Sequence, residues 1–341
     1  MVEIEIEVYS DEIILPRDFN GRKRNIIALG CLFVPRNKKE EFLTTLTNAR
    51  CLYEKSNKWV WEHQICPFCA ECKRAWHEQN NCEIHHEEIR SARSSHSKIE
   101  ISKRWLRYLI SHNKSNKELV YFNILYIDLN KLQLVNFGTE KTHENIYNKF
   151  FRTTIHFGAK AFFGKYQSII IKKVYHDSGP IKYHKFFPFL NLQKLSQDTM
   201  DKIRIDDFSV QFIDSDHKKY LANGEPGHRE SQFIQFIDLV LGAFTQNLYY
   251  LSDDATKKEL AMIIRPLIND MAHQKKLSEY NYFRKQTISF YPKHVISESK
   301  NLVRNLHNSV IEEDKRDQFY SNKEPEMPHF SKDQNKLDEY F

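Results

Sequence analysis

The chain opens on a strict alternation. Val2, Ile4, Ile6 and Val8 are interleaved with Glu3, Glu5 and Glu7, the period of two that marks a strand with one buried face. Asn25 to Pro35 is more continuously apolar and predicts a more deeply buried strand that Pro35 stops. Lys38 to Lys55 has helical apolar spacing, and a shorter helix is expected around Arg104 to Ile110. Leu119 to Leu129 predicts a third strand. A strong amphipathic helix follows from Thr142 to Phe163, with Thr142 suited to its N-cap. Tyr166 to Gly179 predicts a fourth strand, ending in the turn-forming Asp177, Ser178 and Gly179. A helix or irregular segment is expected over Tyr183 to Met200, and a fifth strand over Ile205 to Asp214. Glu230 to Leu251 is a second strong helix, followed by a mixed helical region, a strand within Arg284 to Pro292 and a short helix near Ser297 to His307.

No internal repeat is evident. With residues 36–118 set aside, the order reads strand–strand–strand–helix–strand–(helix)–strand–helix. That is the order of ribonuclease H-like folds: an α/β class with a mixed sheet flanked by helices. The expectation is one domain over residues 1–310. It carries a helical, metal-binding insertion over 36–118 between its second and third strands. Residues 311–341 form a charged tail broken by Pro325 and Pro328 and are expected to be flexible.

Composition narrows the function classes. At 341 residues, with 24 Phe and 17 Tyr, the chain has ample material for a core. It has only nine glycines, and neither Gly-rich phosphate-binding motif is present. The acidic opening is unlike a secretory signal, and no apolar run approaches the ~20 residues needed to span a bilayer. A cytoplasmic protein without a membrane partner is expected; self-association is compatible with the sequence. In a reducing compartment, clustered cysteines favour metal ligation over disulfides.

The net charge of +6 is modest evidence for a polyanionic partner. Its distribution says more. Arg90, Arg93, Lys98, Lys103, Arg104 and Arg107 cluster with Lys114 and Lys117, against Glu100 alone. These residues are the candidate nucleic-acid contacts, with Trp105 and Tyr108 able to stack on bases. The competing reading is a solvated helix face with Trp105, Leu106 and Leu109 turned inward.

Three acidic positions stand out. Asp11 and Glu12 end the first strand, Asp177 ends the fourth, and Asp238 lies among Phe233, Ile234, Ile237, Leu239, Val240 and Leu241. A carboxylate on so apolar a helix is costly to bury unless paired or bound to a cation. If the first and fourth strands are neighbours, Asp11, Asp177 and Asp238 converge. Mg²⁺ or Mn²⁺ would then relieve their repulsion and activate water. Alternatively, Asp11 and Asp177 are turn residues and Asp238 sits at an exposed helix margin.

At these positions the chain resembles the domain-of-unknown-function 3800 family. Asp11-Glu12 in "VYSDEIIL" matches the start of its D-E-S-G-like motif, with Ile13 and Ile14 in place of Ser-Gly. "EIHHEEI" (Glu83 to Ile89) is similar to its E-[LI]-H-[FW] element, with His86 in the aromatic place. "ENIYNKFFRTTI" is similar to its Y-x-x-F-x-R helix. Gln235 and Asp238 in "SQFIQFIDLVLGA" match its closing helix, and "RKQTISFYPK" its terminal strand. The resemblance implies a ribonuclease H-like nuclease associated with mobile elements or antiviral defence against phage. It places Glu83 and His85 beside the carboxylates: Glu83 completing the site or orienting water, and His85 carrying a proton. Glu12 is an alternative ligand to Asp11.

Four of the six cysteines, Cys66, Cys69, Cys72 and Cys82, lie in one polar stretch. The Cys66-Pro-Phe-Cys69 knuckle aims two thiolates at one point, and Cys72 and Cys82 complete a tetrahedral Cys₄ zinc set. A rival set is Cys66, Cys69, Cys82 and His85. The Cys₄ set is preferred because His85 falls within the family-like Glu-x-His element. Such a zinc would be structural, ordering a loop too polar to order itself.

The expectation is therefore a metal-dependent nuclease acting on DNA or RNA, with catalytic Mg or Mn and structural Zn. The alternatives are a nucleic-acid-binding module with a decayed site, or a protein-interaction subunit of a multi-component defence complex.

Overall fold

The computed structural model describes residues 3–15, 18–19, 22–23, 25–52, 82–114, 120–132, 134–137, 142–178, 192, 202–223, 227–273 and 285–291. The cysteine knuckle, all but Leu192 of the segment 183–200, the segment 297–307 and the tail lie outside them.

A mixed sheet organises the fold. β1 (Glu3–Leu15) pairs antiparallel with β4 (Ile26–Pro35), and β4 antiparallel with β5 (Tyr121–Asp128). On its other side β1 pairs parallel with β6 (Ser168–Asp177). β6 in turn pairs parallel with β7 (Ile203–Ile205) and β8 (Val210–Ile213). β9 (Gln286–Tyr291) lies parallel to β5, giving the order β7-β6-β1-β4-β5-β9. The short β2 (Asp18–Phe19) and β3 (Arg22–Lys23) form a separate ribbon.

The helices are α1 (Lys39–Ala49), α2 (His96–Lys114), α3 (Thr142–Phe163), α4 (Lys218–Asn223), α5 (His228–Tyr249) and α6 (Ala255–His273). One face of the sheet is covered by α3, whose Ile146, Phe150, Phe151, Ile155, Phe162 and Phe163 pack on Val8, Leu29 and Phe33. Gly158 lets this helix approach: a Cβ there would lie 2.2 Å from the Phe33 ring. The other face carries α5, which is itself overlaid by α1, α2 and α6. Enclosure between the sheet and a helical layer explains why every residue from Ser231 to Tyr249 is buried. None of the helices among the described residues is long and apolar enough to cross a membrane.

Two expectations change. The first strand does not end at Asp11 and Glu12 but continues to Leu15, because β4 pairs with it residue by residue from Ile6↔Pro35 to Leu15↔Ile26. Asp11 is therefore inside a strand, opposite Gly30, and is not a turn residue. The expected strand over 205–214 is divided into β7 and β8. Between them Asp207 Oδ1 accepts from the Ser209 amide (2.9 Å) and hydroxyl (2.6 Å), a local turn that interrupts pairing.

Candidate active site

Strand register brings the first two carboxylates together. Tyr9 pairs with Tyr175 and Ser10 with His176, so the next step along the parallel pair sets Asp11 beside Asp177. Alternation then assigns faces. Tyr9 and Tyr175 stack at 4.8 Å beneath α5, with Phe233 against Tyr9, which puts Asp11 and Asp177 on the α5 side. Glu12 and His176 point the opposite way, to Tyr147 of α3. Asp238 enters from α5, only 5% exposed, and so does not occupy an exposed helix margin.

The three carboxylates share one electrostatic environment. Burial, then Asp238, Asp177 and Glu12, hold the Asp11 carboxyl well above the usual range. Asp177 is pushed up to about 6 by burial and Asp238, with His176 and His85 opposing. His85 is raised above the ordinary imidazole value, chiefly by Asp238 and further by Glu83 and Asp177, against burial. The residues singled out in sequence as Asp11, Asp177, Asp238, Glu83 and His85 thus meet in space.

A short strap carries Glu83 and His85 into this cluster. Its backbone amides dock on polar side chains of α5. Gln235 Oε1 accepts from Ile84 N at 2.9 Å, and Asp238 Oδ2 from His86 N at 2.6 Å. Because alternate amides are held, Ile84 and His86 turn inward and are buried, while Glu83 and His85 are left half-buried. The strap ends in a 3-10 turn, His86–Glu88. Gly242 makes room for the His86 ring: a Cβ on Gly242 would lie 2.1 Å from it. Burial lowers His86 to about 4. Arg50 fastens the start of the strap, donating to Cys82 O (2.7 Å), Gln232 Oε1 (2.8 Å) and Gln235 Oε1 (2.7 Å). Its guanidinium lies 5.0 Å from the Trp105 ring centroid. Burial without a carboxylate partner among these bonds lowers it to about 10. Ser215, after β8, donates to Glu83 Oε1 at 2.5 Å, and its carbonyl accepts from Gln235 Nε2 at 2.6 Å.

Carboxylate oxygens are the donors that Mg²⁺ and Mn²⁺ prefer, and a cation would offset both the burial and the repulsion that raise Asp11 and Asp177. The Nδ1 of His85 is buried without a hydrogen-bond partner, leaving it able to exchange a proton. Asp11 Oδ1 is already held by Glu12 N (2.8 Å) and Asp238 Oδ2 by His86 N. Among the described residues, no group of three or more His, Cys, Asp or Glu is spaced to hold a metal ion. The donor set fits such a cation in chemistry and charge, while its side chains are not drawn into a closed ligand shell.

No protein family, curated protein or solved structure matches this chain.

The basic stretch divides in two. Lys98 pairs with Glu88 (2.9 Å) and Lys103 with Glu100 (3.0 Å) and Glu259 (2.8 Å), while Arg104 donates to Ala49 O and Cys51 O. Arg90, Arg93 and Arg107 are exposed. Trp105 and Tyr108 are fully buried. Trp105 donates to Leu46 O at 3.0 Å, and Tyr108 packs on Phe42, so neither offers a face to a base. Of the zinc candidates, Cys66, Cys69 and Cys72 lie outside the described residues. Cys82 is half-buried at the head of the strap. Glu12 is engaged on the far face of the sheet and is not an alternative to Asp11. Arg50 and Ser215 were not recognisable in sequence. The polar spacing Gln232, Gln235, Asp238 on an apolar helix was the available signal for the strap.

Proposed function

We propose that the chain is a metal-dependent nuclease that hydrolyses phosphodiester bonds of DNA or RNA. The observation that carries this reading is the convergence of Asp11, Asp177 and Asp238 from β1, β6 and α5 into one mutually repelling cluster. The strand order lends support. An antiparallel trio, β1-β4-β5, continues through parallel β6 and β7, an arrangement compatible with the ribonuclease H-like reading of the sequence. The resemblance of its motifs to the domain-of-unknown-function 3800 family points the same way, and the proposal extends to a cytoplasmic role in phage defence or a mobile element. A structural zinc at Cys66, Cys69, Cys72 and Cys82 belongs to the same proposal.

Asp11, Asp177 and Asp238 would hold Mg²⁺ or Mn²⁺, which when bound stabilises charge on a phosphodiester and acidifies water. Glu83, steadied by the Ser215 hydroxyl, orients the attacking water and accepts its proton as the new P–O bond forms. His85, whose imidazole Asp238 and the neighbouring acids favour in its protonated form, would deliver a proton to the leaving oxygen as the old P–O bond breaks. Arg90, Arg93 and Arg107 supply phosphate contacts that carry no sequence information by themselves.

The test is cleavage of labelled single- and double-stranded DNA and RNA in Mn²⁺ and in EDTA. Cleavage in Mn²⁺ alone, abolished by Asp11→Asn and Asp238→Asn, is expected. Equal binding under both conditions with no cleavage would instead assign a non-catalytic nucleic-acid-binding module.

A further inference from the structure

Directly behind the carboxylate cluster, on the α3 face of the sheet, lies a second buried polar group. Glu12 follows Asp11 in β1, and His176 precedes Asp177 in β6. Their side chains meet across the strand pair: His176 Nε2 is 3.0 Å from Glu12 Oε2. Tyr147 closes the triangle from α3, donating to Glu12 Oε2 at 2.9 Å with His176 Nε2 also 2.9 Å from its hydroxyl oxygen. The other ring nitrogen, Nδ1, is 2.8 Å from the carbonyl oxygen of Asp177. Facing a carbonyl, Nδ1 carries a proton, while Nε2 lies between the Glu12 carboxylate and the Tyr147 hydroxyl. The imidazole is held between the Glu12 carboxylate and the backbone of Asp177. The ring is buried, with Phe151 and Phe212 within 5.6 and 5.9 Å by centroid.

We infer that Glu12, Tyr147 and His176 are positioning residues that fix the spacing and register of Asp11 and Asp177 from the opposite side of the sheet. Each back-face residue adjoins one front-face carboxylate, so a pleat that moves one must move the other. The bond to the Asp177 carbonyl fixes the peptide that follows Asp177, at the end of β6 where β8 pairs with it through Asp177↔Ile213. α3 thereby contributes to the candidate site without reaching it. The inference rests on the nuclease reading only for its metal-dependent arm.

Tyr147→Phe tests it, because the ring keeps its place beside Phe151 (6.3 Å between centroids) while the hydroxyl is lost. Two readouts are taken. Backbone hydrogen exchange is expected to quicken roughly five- to tenfold at Asp11 to Ile13 and at Asp177 and Ser178, about what loss of one hydrogen bond supplies. Exchange at Ile4 to Val8 should be unchanged. The Mn²⁺ concentration giving half-maximal thermal stabilisation is expected to rise by a similar factor. Glu12→Gln, which retains an acceptor for the Tyr147 hydroxyl, should show smaller changes than Glu12→Ala, and keeps the test decisive if Tyr147→Phe misfolds. A lower melting temperature with wild-type local exchange and a wild-type Mn²⁺ midpoint would reduce the triangle to packing and overturn the inference. If wild-type protein ignores Mn²⁺, the nuclease reading fails while the exchange measurement still decides the positioning role.

Discussion

Asp177 shows how the cluster acts on single residues. Its folded carboxyl is pushed up to about 6, first by burial and then by Asp238, so the folded state holds a proton that the unfolded chain releases at lower pH. That contribution to stability is present in acid and is lost as pH rises from about 4 through about 6. His86 and His217, lowered to about 4 and about 3 by burial, act with the opposite sign, so only a difference isolates Asp177. Asp177→Asn in EDTA is expected to be roughly 1–2 kcal/mol more stable than wild type at pH 7, the gap narrowing toward pH 4. Urea melts across this range check it. A variant less stable than wild type at every pH would make Asp177 a structural residue.

Among the elements, the strap against α5 is the least forgiving contact. A methyl added at Gly242 would overlap the His86 ring, and neither the central helix nor the buried ring has room to retreat. Gly242→Ala is expected to destabilise by roughly 1–3 kcal/mol, with Glu83 and His85 displaced and cleavage reduced beyond the loss of folded protein. Urea denaturation and activity per folded molecule measure both; a variant matching wild type in each would show the strap to be loosely seated. Such relations set the limit of what sequence discloses. Strand β4 and helices α3 and α5 were legible because apolar periodicity reports burial directly. Asp238 was legible because a lone carboxylate contradicts the pattern around it. Strand pairing leaves no such trace, so the adjacency of Asp11 and Asp177 was conditional until β1 and β6 were seen side by side. Arg50 and Ser215 were invisible because their partners are backbone carbonyls, neutral amides and a carboxylate 132 positions away from Ser215 in sequence. Trp105 and Tyr108 fit a stacking role and a core role equally well in sequence, and the packing of α2 on α1 decides for the core.

For the molecule as a whole, the charge available to a nucleic acid is smaller than the basic stretch suggests. Replacing Arg90, Arg93 and Arg107 with Gln is expected to flatten the dependence of log affinity on log salt by up to about 2–3 units. Replacing Lys98, Lys103 and Arg104 should leave that slope unchanged and lower stability, since those groups are already bonded within the fold. Binding isotherms at several salt concentrations separate the two sets; a slope that falls only with the second set would invert the assignment. The central claim is that Asp11, Asp177 and Asp238 answer to one cation, and thermal melts with and without Mn²⁺ test it most directly. Wild type at saturating Mn²⁺ is expected to melt about 5 °C or more above its EDTA value. Asp11→Asn, Asp177→Asn and Asp238→Asn should each fold in EDTA and lose most of that gain. Three variants that respond to Mn²⁺ as wild type does, or a wild type that does not respond at all, would contradict the account.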